Sequence, residues 1–334
     1  MNFFIGFVIF IIVLFVYMHV MQQYKRSEKL QLYEMDYTDN RELQTACNVK
    51  QPIVFEFRNV FSEFFYRQSP KVYLEQMCQI DVCLKDTDDY WTESPRNSVD
   101  YVVISYKSLN SLILSDARGH YISECNGDFV SDANMGDLYQ RMDEYIKPAY
   151  ACHTHYDILF GSPKTVFPMR YHTHDRIFLC VLSGKISVKM TNWKSYIHFK
   201  KGIVRDYENY EFWTCENPWK SSAGDTIQYL DFMVLTGQIL YVPAYWFYSI
   251  RIEDPDTIIS QIKYNTPANI LANVSDIGKW YLQQKNIEHV GSTVPKAPPL
   301  SIDSAVIIQN DSAAAFAEIS EPTIQDSLDI ITKK

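Results

Sequence analysis

The stretch Gly237-Gln-Ile-Leu-Tyr-Val-Pro243-Ala-Tyr245-Trp246-Phe247-Tyr248 decides the architecture. Residues 237–242 read as a strand rich in β-branched and aromatic side chains, and 248–252 read as the next. Such side chains suit a pleated, half-buried surface. Pro243 lacks an N–H and closes the first strand before a tight turn. Working outward, similar short runs occur at 51–57, 100–106, 156–160, 228–234 and 258–264. Residues 177–190 read as a hairpin-like pair of strands around Ser183-Gly184-Lys185. Helical spacing appears at 60–67 and 71–79, broken near Pro70, and at 135–146, which ends at Pro148. Many short strands with Gly and Pro turns predict a mainly β barrel or jelly roll with flanking helices.

Aromatic residues make up 15% of the chain and the net charge is −9, with no block of Lys or Arg. A nucleic-acid partner therefore lacks its electrostatic footprint. No Gly-rich phosphate loop and no Gly-x-Ser-x-Gly elbow occurs, which leaves nucleotide binding and serine hydrolysis without a handle. The seven cysteines, Cys47, Cys78, Cys83, Cys125, Cys152, Cys180 and Cys215, are scattered and form no Cys-x-x-Cys pair. They read as reduced thiols in a reducing compartment. The sequons at Asn273 and Asn310 would matter only in a lumenal body.

Residues 3–21, FFIGFVIFIIVLFVYMHVM, would form a helix roughly 28 Å long, about the thickness of the bilayer hydrocarbon. Met1-Asn2 supplies no basic n-region, and Gln22-Gln23-Tyr24 is too bulky for signal cleavage, so an uncleaved single-pass anchor is expected. Lys25, Arg26 and Lys29 follow the helix and place the C-terminal body in the cytosol, on a host or viral membrane. The expected organisation is an anchor at 1–22, a juxtamembrane linker with one short helix at 23–49, a folded domain at 50–285 and a disordered acidic tail at 286–334.

The chemistry candidates begin with Tyr171-His172-Thr-His174-Asp175. Histidines two apart on a strand share a face, so His172 and His174 would present two imidazoles to one metal. Asp175 falls on the opposite face unless a bulge turns it. Tyr248 stands where a third ligand would be needed, and a neutral phenol is a poor one. Two readings stay open. His172, His174, Asp175 and Tyr248 form a metal site, or the histidines are buried, hydrogen-bonded barrel residues. Lys185 and Ile186 point to opposite faces, with Lys185 solvated. The aromatic cluster Tyr245, Trp246, Phe247 and Tyr248, with Trp213 and Trp219, either lines a groove or packs the core. Tyr171, Lys185, Ile186, Tyr245, Trp246 and Lys263 are the candidate lining of a ligand pocket. Residues 206–212 read as a long surface loop.

Segments 168–190 and 237–252 resemble the two motifs of the cupin-like, Jumonji-C-related domain, and Gln51-Pro-Ile-Val-Phe resembles its first strand. The likeness spans about 50–275. A narrower likeness joins the anchor, Lys50-Gln51-Pro52, Asp157-Ile-Leu-Phe-Gly-Ser and Val242-Pro-Ala-Tyr-Trp. It is to the membrane-anchored cupin-like proteins of large DNA viruses of algae and protists. The resemblance implies a double-stranded β-helix and, in active members, Fe(II)- and 2-oxoglutarate-dependent hydroxylation or demethylation. It maps the distal histidine onto Tyr248 and the proximal pair near His172 and His174. The cupin glutamate falls on Ile177 or Phe178, and the lysine for the 2-oxoacid on Ile186. The expectation is thus a catalytically silent, cofactor-free binding or structural module, a pseudoenzyme. The alternatives are a working Fe(II)/2-oxoglutarate hydroxylase with an altered ligand set, and a metal-free small-ligand binder.

Overall fold

Asn2–Gln23 form one helix, α1, which is apolar on every side and leaves most of its side chains uncovered. Phe3–Gln23 is long and apolar enough to cross a membrane. The computed structural model describes residues 2–91, 99–199, 202–207, 209–220 and 227–286. The tail expected to be disordered lies outside them, apart from Asn286.

After α1 come β1 (Tyr33–Asp36), α2 (Asn40–Cys47), β2 (Ile53–Glu56), α3 (Ser62–Arg67), α4 (Pro70–Gln76) and β3 (Asp81–Asp86). A turn of 3₁₀ helix (Thr87–Trp91) precedes β4 (Val102–Ser105), α5 (Tyr106–Ser115), β5 (Tyr121–Ser123), α6 (Gly127–Asp132) and α7 (Gly136–Ile146). Then strands dominate: β6 (His153–Gly161), β7 (Met169–Tyr171), β8 (Arg176–Ser183) and β9 (Lys185–Thr191). A second 3₁₀ turn (Trp193–His198) leads to β10 (Val204–Asp206), β11 (Glu211–Thr214), β12 (Leu230–Leu235), β13 (Gln238–Pro243), β14 (Phe247–Ile252) and β15 (Ile258–Asn265). Helices α8 (Pro267–Ala272) and α9 (Val274–Asn286) end the described chain.

The strands make two sheets, one of nine in the order β1-β2-β13-β8-β15-β6-β5-β3-β4 and one of six in the order β10-β11-β7-β14-β9-β12. β1 joins β2 in parallel and the other pairings are antiparallel. The chain alternates between the sheets: β6 and β8 lie in the large one, β7 and β9 in the small one. The same alternation recurs from β12 to β15.

This corrects the hairpin expected at 177–190. β8 and β9 are not partners, and Gly184 is a corner between sheets. Gly184 has φ +71°, and a Cβ there would sit 2.9 Å from the Thr257 Cα, so only glycine fits without strain. The β12–β13 corner at Gly237 makes the same demand, with φ +98°.

Two-residue alternation then builds the core. Leu179 and Val181 of β8 and Leu240 and Val242 of β13 face Val188 of β9 and Ile250 of β14 between the sheets. The opposite face of the large sheet, with Phe178, Tyr241 and Tyr264, packs under helices that contribute Phe64, Leu138 and Met142. β8 is buried on both faces, which explains its continuous apolar run. Each such side chain contributes about 1.5–3 kcal/mol relative to exposure.

Three further expectations change. The segment read as a linker has the one short helix expected of it, α2, but also supplies strand β1, and Leu43 and Cys47 of α2 are buried. The ends of the segment read as a surface loop are sheet: Asp206 of β10 is buried and pairs with Glu211 of β11. The strand expected at 100–106 stops at Ser105, whose hydroxyl accepts from Ser108 N–H and starts α5.

Candidate functional site

Alternation along β7 sends Tyr171 outward, where it meets Phe247 at 5.2 Å between ring centroids, and Arg170 inward. On β14, Tyr248 points into the core between the sheets, and its backbone partners are Arg170 on one side and Met190 on the other. The Arg170 guanidinium meets the Glu124 carboxylate at 2.7 Å (Nη1 to Oε2) and 3.4 Å (Nη2 to Oε1). Lys85 Nζ lies 3.1 Å from Glu124 Oε1, and the Tyr90 hydroxyl donates to the same oxygen at 2.9 Å. Glu211 completes the group at 3.6 Å from Lys85 and 3.8 Å from Arg170. Two cations and two carboxylates thus balance inside the fold, with the Lys85 and Glu124 side chains 0% and 3% exposed.

Local sequence explains the placement of Glu124. It follows β5, and Cys125 beyond it takes a left-handed φ of +64°. Asp157 of β6 accepts from the N–H groups of Cys125 and Asn126 at 3.2 and 2.7 Å, and fixes that turn. The Asn126 side chain ties the turn to Ser123, Ile158 and Cys83. Tyr90 rests edge-on against Trp213 with centroids 4.9 Å apart.

Burial alone would raise the Glu124 carboxyl, but Arg170 and Lys85 outweigh it and hold the group well below its ordinary value. Glu211 goes the other way: burial raises it, and the neighbouring Glu124 adds to that. Burial would lower Lys85, but Glu211 and Glu124 overcome this and keep it charged. Burial opposes the Arg170 charge too, and the same two carboxylates outweigh it.

The histidines sit beside this group. His172 donates Nε2–H to the Val242 carbonyl at 3.1 Å, which leaves Nδ1 buried without a partner. Its ring lies 6.0 Å from His174 and 6.3 Å from Tyr248, centroid to centroid. Burial, then the neighbouring His174, pushes His172 well below its ordinary pKa, so it is neutral. Burial and Lys263 bring His174 to about 3, while its Nδ1 bonds the Asn265 side chain at 3.0 Å. Burial raises the Tyr248 phenol to about 12.

The strand expected to carry His172, His174 and Asp175 ends at Tyr171, and all three lie in the bend before β8, so their faces are not set by alternation. Asp175 has its own partners. It pairs with Lys50 and with Arg176, each at 3.0 Å, and so fastens the turn after α2 to the sheet. Among the described residues, three carboxylate, thiol or imidazole donors come within 4.8 Å of one another at exposed Asp86 and Asp88 with His120, and not around His172. His172 thus offers one lone pair beside a protonated phenol, and Arg170 stands opposite that phenol in the strand register. Three protein ligands are the usual minimum for a catalytic transition ion. This donor set does not fit Fe(II).

The remaining candidates divide. Ile186 is buried in the core, and Trp246 is buried with its Nε1–H donating to the Lys50 carbonyl at 3.1 Å. Lys185 is partly exposed and lies 3.6 Å from Asp254. Lys263, in register with His155 across β15–β6, has no carboxylate partner among the described residues. It depresses both His155 and His174. Tyr171 and Tyr245 lie on the outer face of the small sheet.

Sequence reasoning missed Lys85, Tyr90, Glu124, Arg170 and Glu211. One signal was legible: Arg170 has the parity of His172 and His174 and interrupts the apolar run Phe167-Pro-Met-Arg-Tyr. Fold and site together define a two-sheet β protein with an internal ion-pair centre and one apolar N-terminal helix. No protein-family model matches the chain, and no curated protein matches it in sequence.

Proposed function

We propose that this chain is a membrane-anchored double-stranded β-helix whose interior carries a buried ion-pair centre in place of a metal site, and that it acts as a non-catalytic binding or structural module. Strand order supports the double-stranded β-helix: consecutive strands switch sheets at Gly184 and Gly237, which leaves β6-β15-β8-β13 facing β7-β14-β9-β12. The basic residues after α1 favour a cytosolic body. The observation that carries the functional part is Arg170, clamped by Glu124 and aligned with Tyr248 where a third ligand would stand. A fixed guanidinium there repels a metal cation and neutralises the nearby carboxylates. The test is the metal content of the purified full-length protein, with succinate formation from 2-oxoglutarate followed in parallel. Metal far below one equivalent and no succinate are expected. Stoichiometric iron with succinate release would overturn the proposal in favour of a hydroxylase.

A second reading rests on Lys263. An ammonium with no carboxylate partner among the described residues, beside His155 and His174, suits a small anionic ligand held without metal. Stabilisation by a carboxylate ligand that survives chelator and disappears in Lys263→Met would support it. Equal stabilisation of the variant would remove it.

A further inference from the structure

A cavity of about 400 Å³ opens on the outer face of the small sheet, away from the ion-pair centre. Arg26 and Arg205 line it together with Tyr171, Trp193, Tyr196 and Tyr245. Arg26 lies three positions beyond Gln23, the last residue of α1, a reach of at most about 11 Å. The headgroup layer of a bilayer adds roughly 5–8 Å to each side of its hydrocarbon. A cavity built on Arg26 therefore stands at headgroup depth if α1 spans the membrane.

The segment after α1 is held against the body. The Tyr24 hydroxyl donates to the Ala272 carbonyl of α8, and Glu28 pairs with Lys194 at 2.6 Å. Between these anchors the Arg26 guanidinium carbon lies 4.0 Å from the Tyr245 ring centroid and 5.1 Å from that of Trp193. Stacking uses the flat faces of a guanidinium and leaves its N–H edge free. The Arg26 Nε is buried with no hydrogen-bond partner. Neither Arg26 nor Arg205 pairs with a carboxylate among the described residues. The nearby Asp276 is engaged by Lys279 at 3.5 Å and by the Tyr207 hydroxyl at 3.1 Å. Tyr196, which lines the cavity, is exposed, and so is its chain neighbour Ile197. Aromatic and aliphatic side chains of this kind sit well in a membrane interface.

We propose that this cavity binds the phosphate-bearing headgroup of an anionic phospholipid, with the phosphate on Arg26 and Arg205 and the glycerol and first methylenes against the aromatic rings. The proposal rests on the reading of α1 as an anchor. Bound lipid would tie the orientation of the body to the charge of the surface beneath it.

The test uses full-length protein in a neutral detergent, titrated calorimetrically in separate arms. The ligands are short-chain phosphatidic acid, short-chain phosphatidylcholine and inorganic phosphate. Saturable binding of the phosphatidic acid is expected, with each of Arg26→Gln and Arg205→Gln weakening it by about tenfold or more. Arg205 is exposed and lies on an edge strand, so its variant should melt as the parent does. An Arg205→Gln protein that melts and binds like the parent overturns the proposal. So does phosphatidylcholine binding as tightly as phosphatidic acid. Inorganic phosphate binding as tightly as the lipid assigns the site to a soluble phosphate and overturns the lipid. Co-flotation with phosphatidylcholine vesicles reads the anchor separately: a chain that floats but binds no phosphatidic acid keeps the anchor and loses the site.

Discussion

Replacing Glu124 by Gln tests the ion-pair centre most directly. The amide keeps the shape of the side chain but removes one of the two negative charges that face Lys85 and Arg170. It also aims N–H donors at a lysine, an arginine and a tyrosine hydroxyl that all now address the carboxylate. Glu211 cannot compensate fully, because it stands 3.6 and 3.8 Å from the two cations against 3.1 and 2.7 Å for Glu124. A buried charge stripped of its partner costs about 3–5 kcal/mol. For a body of this size that is a fall in midpoint of about 6–20 °C. Thermal unfolding followed by tryptophan emission reads it, since Trp213 packs on Tyr90 beside the network. Arg170→Met alone should cost a similar amount by stranding the carboxylates. The double variant leaves Lys85 and Glu211, one charge of each sign, and should be more stable than the sum of the single losses predicts, by about 1–3 kcal/mol. A single-variant loss below about 1 kcal/mol, or strict additivity, would refute the idea that these charges depend on one another.

Tyr248→His should not create an iron site, because Arg170 remains opposite residue 248. Metal analysis showing stoichiometric iron in that single variant would contradict this. Acid should weaken the fold through the histidines. His172 and His174 are held below the ordinary histidine value of about 6.5, so their contribution is present above that pH. It is lost as pH falls toward the folded value, about 3 for His174, with a slope of at most about 1.4 kcal/mol per pH unit for each ring. His174 keeps part of its ring accessible, and its share is correspondingly smaller. A urea midpoint unchanged between pH 7 and 5 would count against this. Gly184→Ala should destabilise by about 2 kcal/mol or more, from a left-handed φ and a collision with the Thr257 backbone. A chevron or melt equal to the parent would show that the corner can relax.

The centre also bears on how the two sheets hold together. A network with every charge answered can hold strands from both sheets in one register, since Lys85 is on β3, Arg170 on β7 and Glu211 on β11. Apolar packing alone tolerates sliding, whereas unpaired buried charge does not. Such a network rigidifies the strands it joins.

Much of the strand content could be read from residues alone. Period-two patterns and Gly or Pro punctuation mark β13, β14 and β15, the helical spacing marks α7, and the run at 3–21 marks α1. Backbone sterics and side-chain alternation are local, so a single sequence carries them. That locality has a limit: His172, His174 and Asp175 fall in the bend between β7 and β8, where strand alternation does not apply. Tertiary structure decided the rest. Nothing local says that β8 and β9 part at Gly184 into different sheets, or that residues 33–36 join the large sheet as β1. Nor does anything near Arg170 announce Glu124, 46 residues away in the chain, or Lys85 still further off. A lysine or glutamate on a short strand reads as solvated until the fold closes over it. Its meaning then comes from which opposite charge the other strands bring within about 3 Å, and that is a property of long-range packing.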